Sequence, residues 1–317
     1  MGVVSVIRFA AIRNQSSTVG AMRRPTTLEL MLLATIGLWS LNLTVSRYIL
    51  THGLQPLAYG SVRYALASAV FCAMTLAVER SLRIARRDLP LVLAAALVLY
   101  VNQLGFVYAL HESTASVLAL LLGATPIFAA IAGVLLRTET LSGRFWSGAL
   151  LSFAGVALVA LGAGDQVSGS LVGVLLGLLT AMSWAAYSML ITPLMRRYSA
   201  SRISSIVLTA TSIPLTLTAV PQLSSQSWSL GWEVWALLLF ATLGPLVATN
   251  VMWFRSLDRI GPARATLAAN LQPFVAAAIA VVLLSESLGW LEVAGGVLIA
   301  AGIVAARRRN TATPPGE

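Results

Sequence analysis

The chain has 317 residues, of which 58% are hydrophobic and only 10% charged, and its mean hydropathy is +0.85. Soluble domains carry about 25% charged residues, and a soluble core has no room for this much apolar surface, so the composition describes an integral membrane protein. The net charge of +10 does not indicate a nucleic-acid surface, because the arginines are scattered through short gaps between apolar runs.

Residues 1–27 form a polar N-terminal tail with Arg8, Arg13, Arg23 and Arg24. Its weakly apolar stretch is interrupted by Arg8 and followed by no cleavage site, which argues against a secretory signal. Met22 is an alternative start, since MRRPTTLEL leads straight into the first apolar run. Ten such runs follow, near 28–50, 57–78, 89–110, 114–136, 143–162, 170–192, 203–220, 233–254, 262–284 and 288–306. Most are about 20 residues, enough to cross roughly 30 Å of hydrocarbon as a helix. Helices are expected because an open strand edge finds no partner in lipid. The connections are short, no soluble domain is expected, and residues 307–317 form a C-terminal tail.

The arginines set an expected orientation. Alternate connections hold Arg80, Arg83, Arg86 and Arg87, then Arg137 and Arg144, then Arg196, Arg197 and Arg202, then Arg255, Arg259 and Arg264. The opposite connections hold His52, His111, Glu112, Asp165, Glu233 and Glu286. The positive-inside rule therefore predicts both termini in the cytoplasm.

The run from Ala115 to Ala160 is repeated in the second half at an offset of 147 residues. Pro126 falls on Pro273, Glu139 on Glu286, Leu141 on Leu288, Gly148 on Gly295 and Gly155 on Gly302. Two repeats of five spans each, 28–162 and 170–306, follow from this match. An odd number of spans per repeat inserts the second upside down relative to the first. The expected fold is an all-α membrane protein of ten transmembrane helices, built as two inverted five-helix repeats.

Polar side chains inside the spans are the candidate solute-binding groups, because in hydrocarbon they need a protein partner or a watery cavity. The first span carries Trp39, Asn42 and Ser46 on one face, and the sixth carries Trp184, Tyr187 and Ser188 in the matching place. A central pocket and ordinary interhelical bonding both account for them. Arg63, early in the second span, costs about 2.5 kcal/mol or more if it faces lipid. It attracts a carboxylate or phosphate of the solute, or it serves a structural ion pair or helix-end carbonyls. Arg47 snorkels to the surface or joins Arg63. Asn102 and Gln103 in the third span and Asn270 in the ninth offer amides that bind either end of an amino acid. Pro126 and Pro273 predict matched kinks, which suit either a gating break or a bent packing helix.

Gly173 and Gly177 have a small-xxx-small spacing whose first meaning is close packing and whose second is a homodimer contact. All eleven acids lie in connections or at span ends, so no mid-membrane carboxylate is available for proton coupling. Cys72 stands alone as a small apolar side chain. No phosphate-gripping loop, metal-ligand spacing or nucleophile–base pair is present, so no enzyme activity, cofactor or metal is expected.

These features together resemble the EamA family of the drug/metabolite transporter superfamily. The resemblance is carried by Trp39-Ser40-Leu41-Asn42, Arg63-Tyr64, the Ala124–Phe128 run followed by Glu139, Ser183–Tyr187, Leu271-Gln272-Pro273 and Glu286, and covers about residues 28–306. The first span has Leu38-Trp39-Ser40 where relatives often show a glycine beside the tryptophan, and Arg255 stands where an aromatic is commoner. The resemblance implies alternating access through a cavity between the halves. Characterised relatives export amino acids or related small metabolites, while others move nucleotide sugars, organic cations or vitamins. The expected function is therefore an inner-membrane secondary transporter that exports amino acids or related small polar metabolites. Multidrug or organic-cation efflux is the alternative within the class, and a non-transporting scaffold or sensor the alternative outside it.

Overall fold

The computed structural model describes residues 27–135, 143–163, 171–253 and 271–307. Within them every regular element is helical and no strand occurs. The order is α1 (Thr27–Thr51), α2 (Pro56–Glu79), a short 3-10 turn (Arg86–Asp88), α3 (Leu89–Glu112), α4 (Ala115–Leu122), α5 (Thr125–Leu135) and α6 (Gly143–Ala163). It continues with α7 (Leu171–Met195), α8 (Ala200–Ser225), α9 (Trp232–Thr242), α10 (Gln272–Leu284) and α11 (Trp290–Arg307). A π-helical segment, Leu243–Ala248, extends α9, and the helical run ends at Trp253.

Eight helical segments among the described residues are long and apolar enough to cross a membrane, and two shorter apolar helices cover Gln272–Leu284 and Trp290–Ala305. Their outward faces are as apolar as their inward ones: Leu97, Leu150 and Leu217 are 60%, 73% and 68% exposed. Water does not tolerate such a surface at this density, and lipid does. The chain is a multi-pass membrane protein.

The fourth predicted span is two helices. The backbone tightens at Gly123 and Ala124, whose N–H groups bond to Leu120 and Leu121, and Pro126 then occupies the second position of α5. Proline has no N–H, so the Leu122 carbonyl four residues earlier loses its usual donor. The Thr125 hydroxyl supplies one at 2.6 Å. The expected kink is thus a complete break whose freed carbonyl is satisfied locally. Pro273 likewise stands in the first turn of α10. The seventh predicted span is markedly longer than expected, with Pro214 and Pro221 inside α8, and Pro193 stands inside α7.

Helices from the two halves pair across the molecule: α2 with α8, α3 with α7 and α6 with α11. The last pair is built on the matched glycines. A Cβ at Gly155 would lie 2.5 Å from the Gly295 carbonyl oxygen, and one at Gly302 would collide with the Gly148 carbonyl. Exchanging the halves turns one contact into the other. Between them the Ser152 hydroxyl donates to the carbonyl of Ile299 at 3.1 Å, 147 residues away, so a residue bonds to its own repeat mate. The Gly173 and Gly177 pair is likewise consumed within the chain, against Ser113 and Glu112 and against Leu121.

The α2–α8 pair runs antiparallel and is tied at both ends. At one end Gln226 and Gln222 accept from the N–H groups of Gln55 (2.8 Å) and Leu57 (2.7 Å), two donors that a helix start otherwise leaves orphaned. At the arginine-rich end Glu79 pairs with Arg202 at 2.7 Å, Thr75 bonds Ser201 at 2.6 Å, and Asp88 receives Arg197 and the Tyr198 hydroxyl. A further cross-link joins the halves at Glu286, whose carboxylate accepts from the backbone of Ala115 and Ser116 at 2.9 Å each. It thereby caps the start of α4, where a negative charge also meets the positive end of the helix dipole.

Candidate functional site

Arg63 lies seven residues along α2, about 10 Å from its start, and only 4% of it is exposed. Its Nη2 donates to the Asn42 side-chain oxygen at 2.9 Å, and Nε and Nη2 together hold the carbonyl of Ala241 at 3.3 and 3.1 Å. That carbonyl is available for the reason that frees the Leu122 carbonyl before α5: Pro245 sits four residues on and has no N–H to give it. One guanidinium thus ties α1, α2 and α9 together at the π-helical segment. Tyr59, one turn earlier and fully buried, brings its ring to 5.7 Å from the guanidinium carbon and bonds Ser46 through its hydroxyl at 2.6 Å. Cation–π contact and neutral acceptors therefore surround the charge.

Trp39 packs against Trp253 with ring centroids 5.2 Å apart, and Ser40 donates to the carbonyl of Gln272 at 3.1 Å. A Cβ at Gly123 would lie 3.7 Å from Pro273 Cβ, so the break in the first half faces the start of α10 in the second. Pro126 and Pro273 thus belong to one neighbourhood.

The amides of α3 form a second group. Asn102 Nδ2 donates to the Thr180 carbonyl at 2.8 Å and contacts the Ser183 hydroxyl at 3.2 Å, while Gln103 Nε2 donates to Asn102 Oδ1 at 3.2 Å. Asn102 thus binds α3 to α7, where Gly105 lets the two backbones approach. Gln103 is 7% exposed, and its Oε1 has no hydrogen-bond partner. Trp184 and Tyr187 pack against each other with ring centroids 5.4 Å apart and planes tilted by 40°. Tyr187 packs against the apolar cluster in which Tyr64 is buried, so it reaches the helix that carries Arg63. Among the described residues no hydrogen bond joins the Arg63 group to the Asn102 group.

The sequence candidates thus fall into an Asn42–Arg63 pair, a Trp39–Trp253 pair, an Asn102–Gln103 pair and a Trp184–Tyr187 pair. Asn270 lies outside the described residues. Arg47 does not join Arg63; it donates to the last carbonyls of α3, those of Leu110 and His111. Sequence reasoning missed Tyr59, Trp253 and the Ala241 carbonyl. The i, i+4 spacing of Tyr59 and Arg63 was legible, as was Pro245 inside the eighth apolar run. Which side chain takes the carbonyl that Pro245 frees was not.

The EamA-like transporter family matches the chain twice, over residues 26–161 and 171–307. An uncharacterized transporter of Archaeoglobus fulgidus is 25% identical over 289 residues, which span 89% of this chain and 99% of its own. The uncharacterized transporter YdfC of Bacillus subtilis is 27% identical over 190 residues, 60% of this chain and 61% of its own. A solved crystal structure shares the fold, with a TM-score of 0.62 at 20% identity over 90% of this chain and 99% of that one. With both halves matched in this way, the chain belongs to the EamA-like transporter family.

Proposed function

We propose that this transporter carries amino acids or related small polar metabolites across the cytoplasmic membrane by alternating access between its two halves. The reading takes the chain as ten spans in two inverted repeats, 28–162 and 170–306, with both termini in the cytoplasm and export as the working direction. The observation that carries it is the exchange symmetry of the α6–α11 contact, in which Gly155 meets Gly295, Gly302 meets Gly148, and Ser152 bonds Ile299. Two repeats that meet through equivalent surfaces have two equivalent ways to tilt, one for each side of the membrane. The polar side chains between them supply the solute contacts: Asn42 and Arg63 on one side, Gln103 and Tyr187 on the other, with Trp39 and Trp184 as apolar walls. Pro126, just after the break that precedes α5, and Pro273, in the first turn of α10, are the candidate gating positions near the junction between the halves, where tilting needs a flexible backbone.

The test is transport by the purified protein in liposomes against labelled amino acids, nucleosides and organic cations, with a pH gradient imposed or absent. Saturable movement of an amino acid supports the reading, and movement of organic cations alone replaces it with efflux of that class. Accessibility labelling is an independent check. Cysteines introduced at Gly164 and Ser199 are expected on opposite sides of the membrane, and finding them on one side sinks the inverted topology.

A further inference from the structure

We propose that Arg63 recognises a single carboxylate on the transported solute, with Asn42 as its positioning partner. The inference rests on the transport reading above and adds to it the charge of the cargo.

Arg63 differs from the other arginines whose contacts the structure describes. Arg197 and Arg202 stand at a polar end of the bundle, and each has a carboxylate, Asp88 or Glu79. Arg47 lies toward the other end and gives its donors to helix-end carbonyls. Arg63 is buried to 4% exposure, where water solvates it least, yet all its acceptors are neutral: one amide oxygen and one backbone carbonyl. Among the described residues no carboxylate lies within ion-pair distance of it. A buried cation without a counter-ion leaves a positive potential that low-dielectric surroundings screen poorly. The molecule therefore holds a full charge where an anion gains most from meeting it.

The hydrogen-bond inventory gives the sign and shape of the missing partner. A guanidinium has five N–H donors and no acceptor. Nε and Nη2 are engaged, and Nη1 has no bond among the described residues. Because Arg63 only donates, the Asn42 oxygen must face it, and the Asn42 NH2 group is likewise without a bond among the described residues. What the pair has left to offer is donors alone. One formal charge, with Arg47 committed elsewhere, matches a monoanion better than a doubly charged phosphate. A purely structural staple between α1, α2 and α9 explains the three bonds that are made. It does not explain why the charge lacks a counter-ion.

On an adjacent helix, Gln103 provides a second unsatisfied group at a similar depth. A Cβ at Gly60 would touch Val107 at 3.6 Å, and consecutive helices joined by a short turn run antiparallel. Counting along α2 and back along α3 from that contact brings Arg63 level with the Gln103–Leu104 stretch. The Gln103 Oε1, buried and without a donor, requires an N–H or O–H that the protein does not provide. A solute carrying a carboxylate and a hydrogen-bond donor answers both needs.

The experiment compares matched trios on the wild-type protein: alanine, alaninamide and ethylamine, then phenylalanine, phenylalaninamide and phenethylamine. Each compound is scored for competition in proteoliposome transport and, separately, for thermal stabilisation of the detergent-solubilised protein. The free acids are expected to bind more tightly than the amides and amines by roughly thirtyfold or more, the cost of leaving a buried charge unpaired. Arg63→Gln is expected to level each trio, and Arg63→Lys to keep part of the preference. Amides or amines that match the acids on the wild-type protein overturn the proposal, and this comparison needs no variant to fold. If acids stabilise selectively yet nothing crosses the bilayer, the transport reading falls and the carboxylate site stands. If all three members are carried equally, transport stands and the site falls. If no compound is carried or stabilises, both fall.

Discussion

Replacing Gly155 with alanine is the most direct way to load the contact between the halves. The new Cβ would lie 2.5 Å from the Gly295 carbonyl oxygen, 2.8 Å from the Ile299 nitrogen and 2.9 Å from Ile299 Cγ1. Two of these are backbone atoms, so no rotamer change relieves them, and α6 and α11 must separate by about 1 Å to restore ordinary contact. Overpacking of this kind costs about 1–3 kcal/mol. Stretching the neighbouring Ser152–Ile299 bond, 3.1 Å long, adds about 0.6 kcal/mol, while alanine regains roughly 0.8 kcal/mol of helix propensity over glycine. The net expectation is a loss of about 1–3 kcal/mol, read as reduced resistance to thermal unfolding in detergent. Gly37→Ala is the control, because a Cβ there meets nothing within 4 Å; it should raise stability by about 0.5–1 kcal/mol. If Gly155→Ala matches or exceeds Gly37→Ala in stability, the close glycine packing between repeats is refuted.

Other substitutions test the remaining links. Thr125→Val removes the hydroxyl that holds the Leu122 carbonyl at 2.6 Å and should cost about 0.6–1.7 kcal/mol in the same unfolding assay; no loss would mean that the break before Pro126 finds another donor. Glu286→Ala uncaps the first turn of α4, where its carboxylate holds the N–H groups of Ala115 and Ser116 at 2.9 Å. About 1–2 kcal/mol should be lost, with faster amide hydrogen exchange at Ala115 and Ser116, and unchanged exchange there would contradict the cap. A double-mutant cycle on Glu79 and Arg202, whose side chains are 20% and 23% exposed, should return a coupling of at most about 1 kcal/mol that shrinks in high salt. A coupling that salt leaves untouched would place the pair deeper than the structure does.

The course of the chain and its two-part plan were legible from the letters because lipid imposes simple rules. Apolar runs of helical length must become helices, and a repeated Pro, Glu and Gly pattern marks equivalent positions in both halves. The reach of those rules ends where one helix meets another. Asn102, Asn42 and Gln103 are three amides in apolar runs, and nothing local distinguishes them. Only packing assigned Asn102 to Thr180 and Ser183, gave Asn42 to Arg63 and left an oxygen of Gln103 without a donor. Pro126 and Pro245 were each readable as the loss of one N–H. At Pro126 the replacement donor is the adjacent Thr125, a local choice; at Pro245 it is the distant Arg63, which depends on which helix stands alongside. Sequence determined where the backbone would lack a hydrogen bond and, at Pro126, offered the donor one residue away. At Pro245 tertiary structure decided who supplies it, because donors more than a turn away are brought within reach by folding alone.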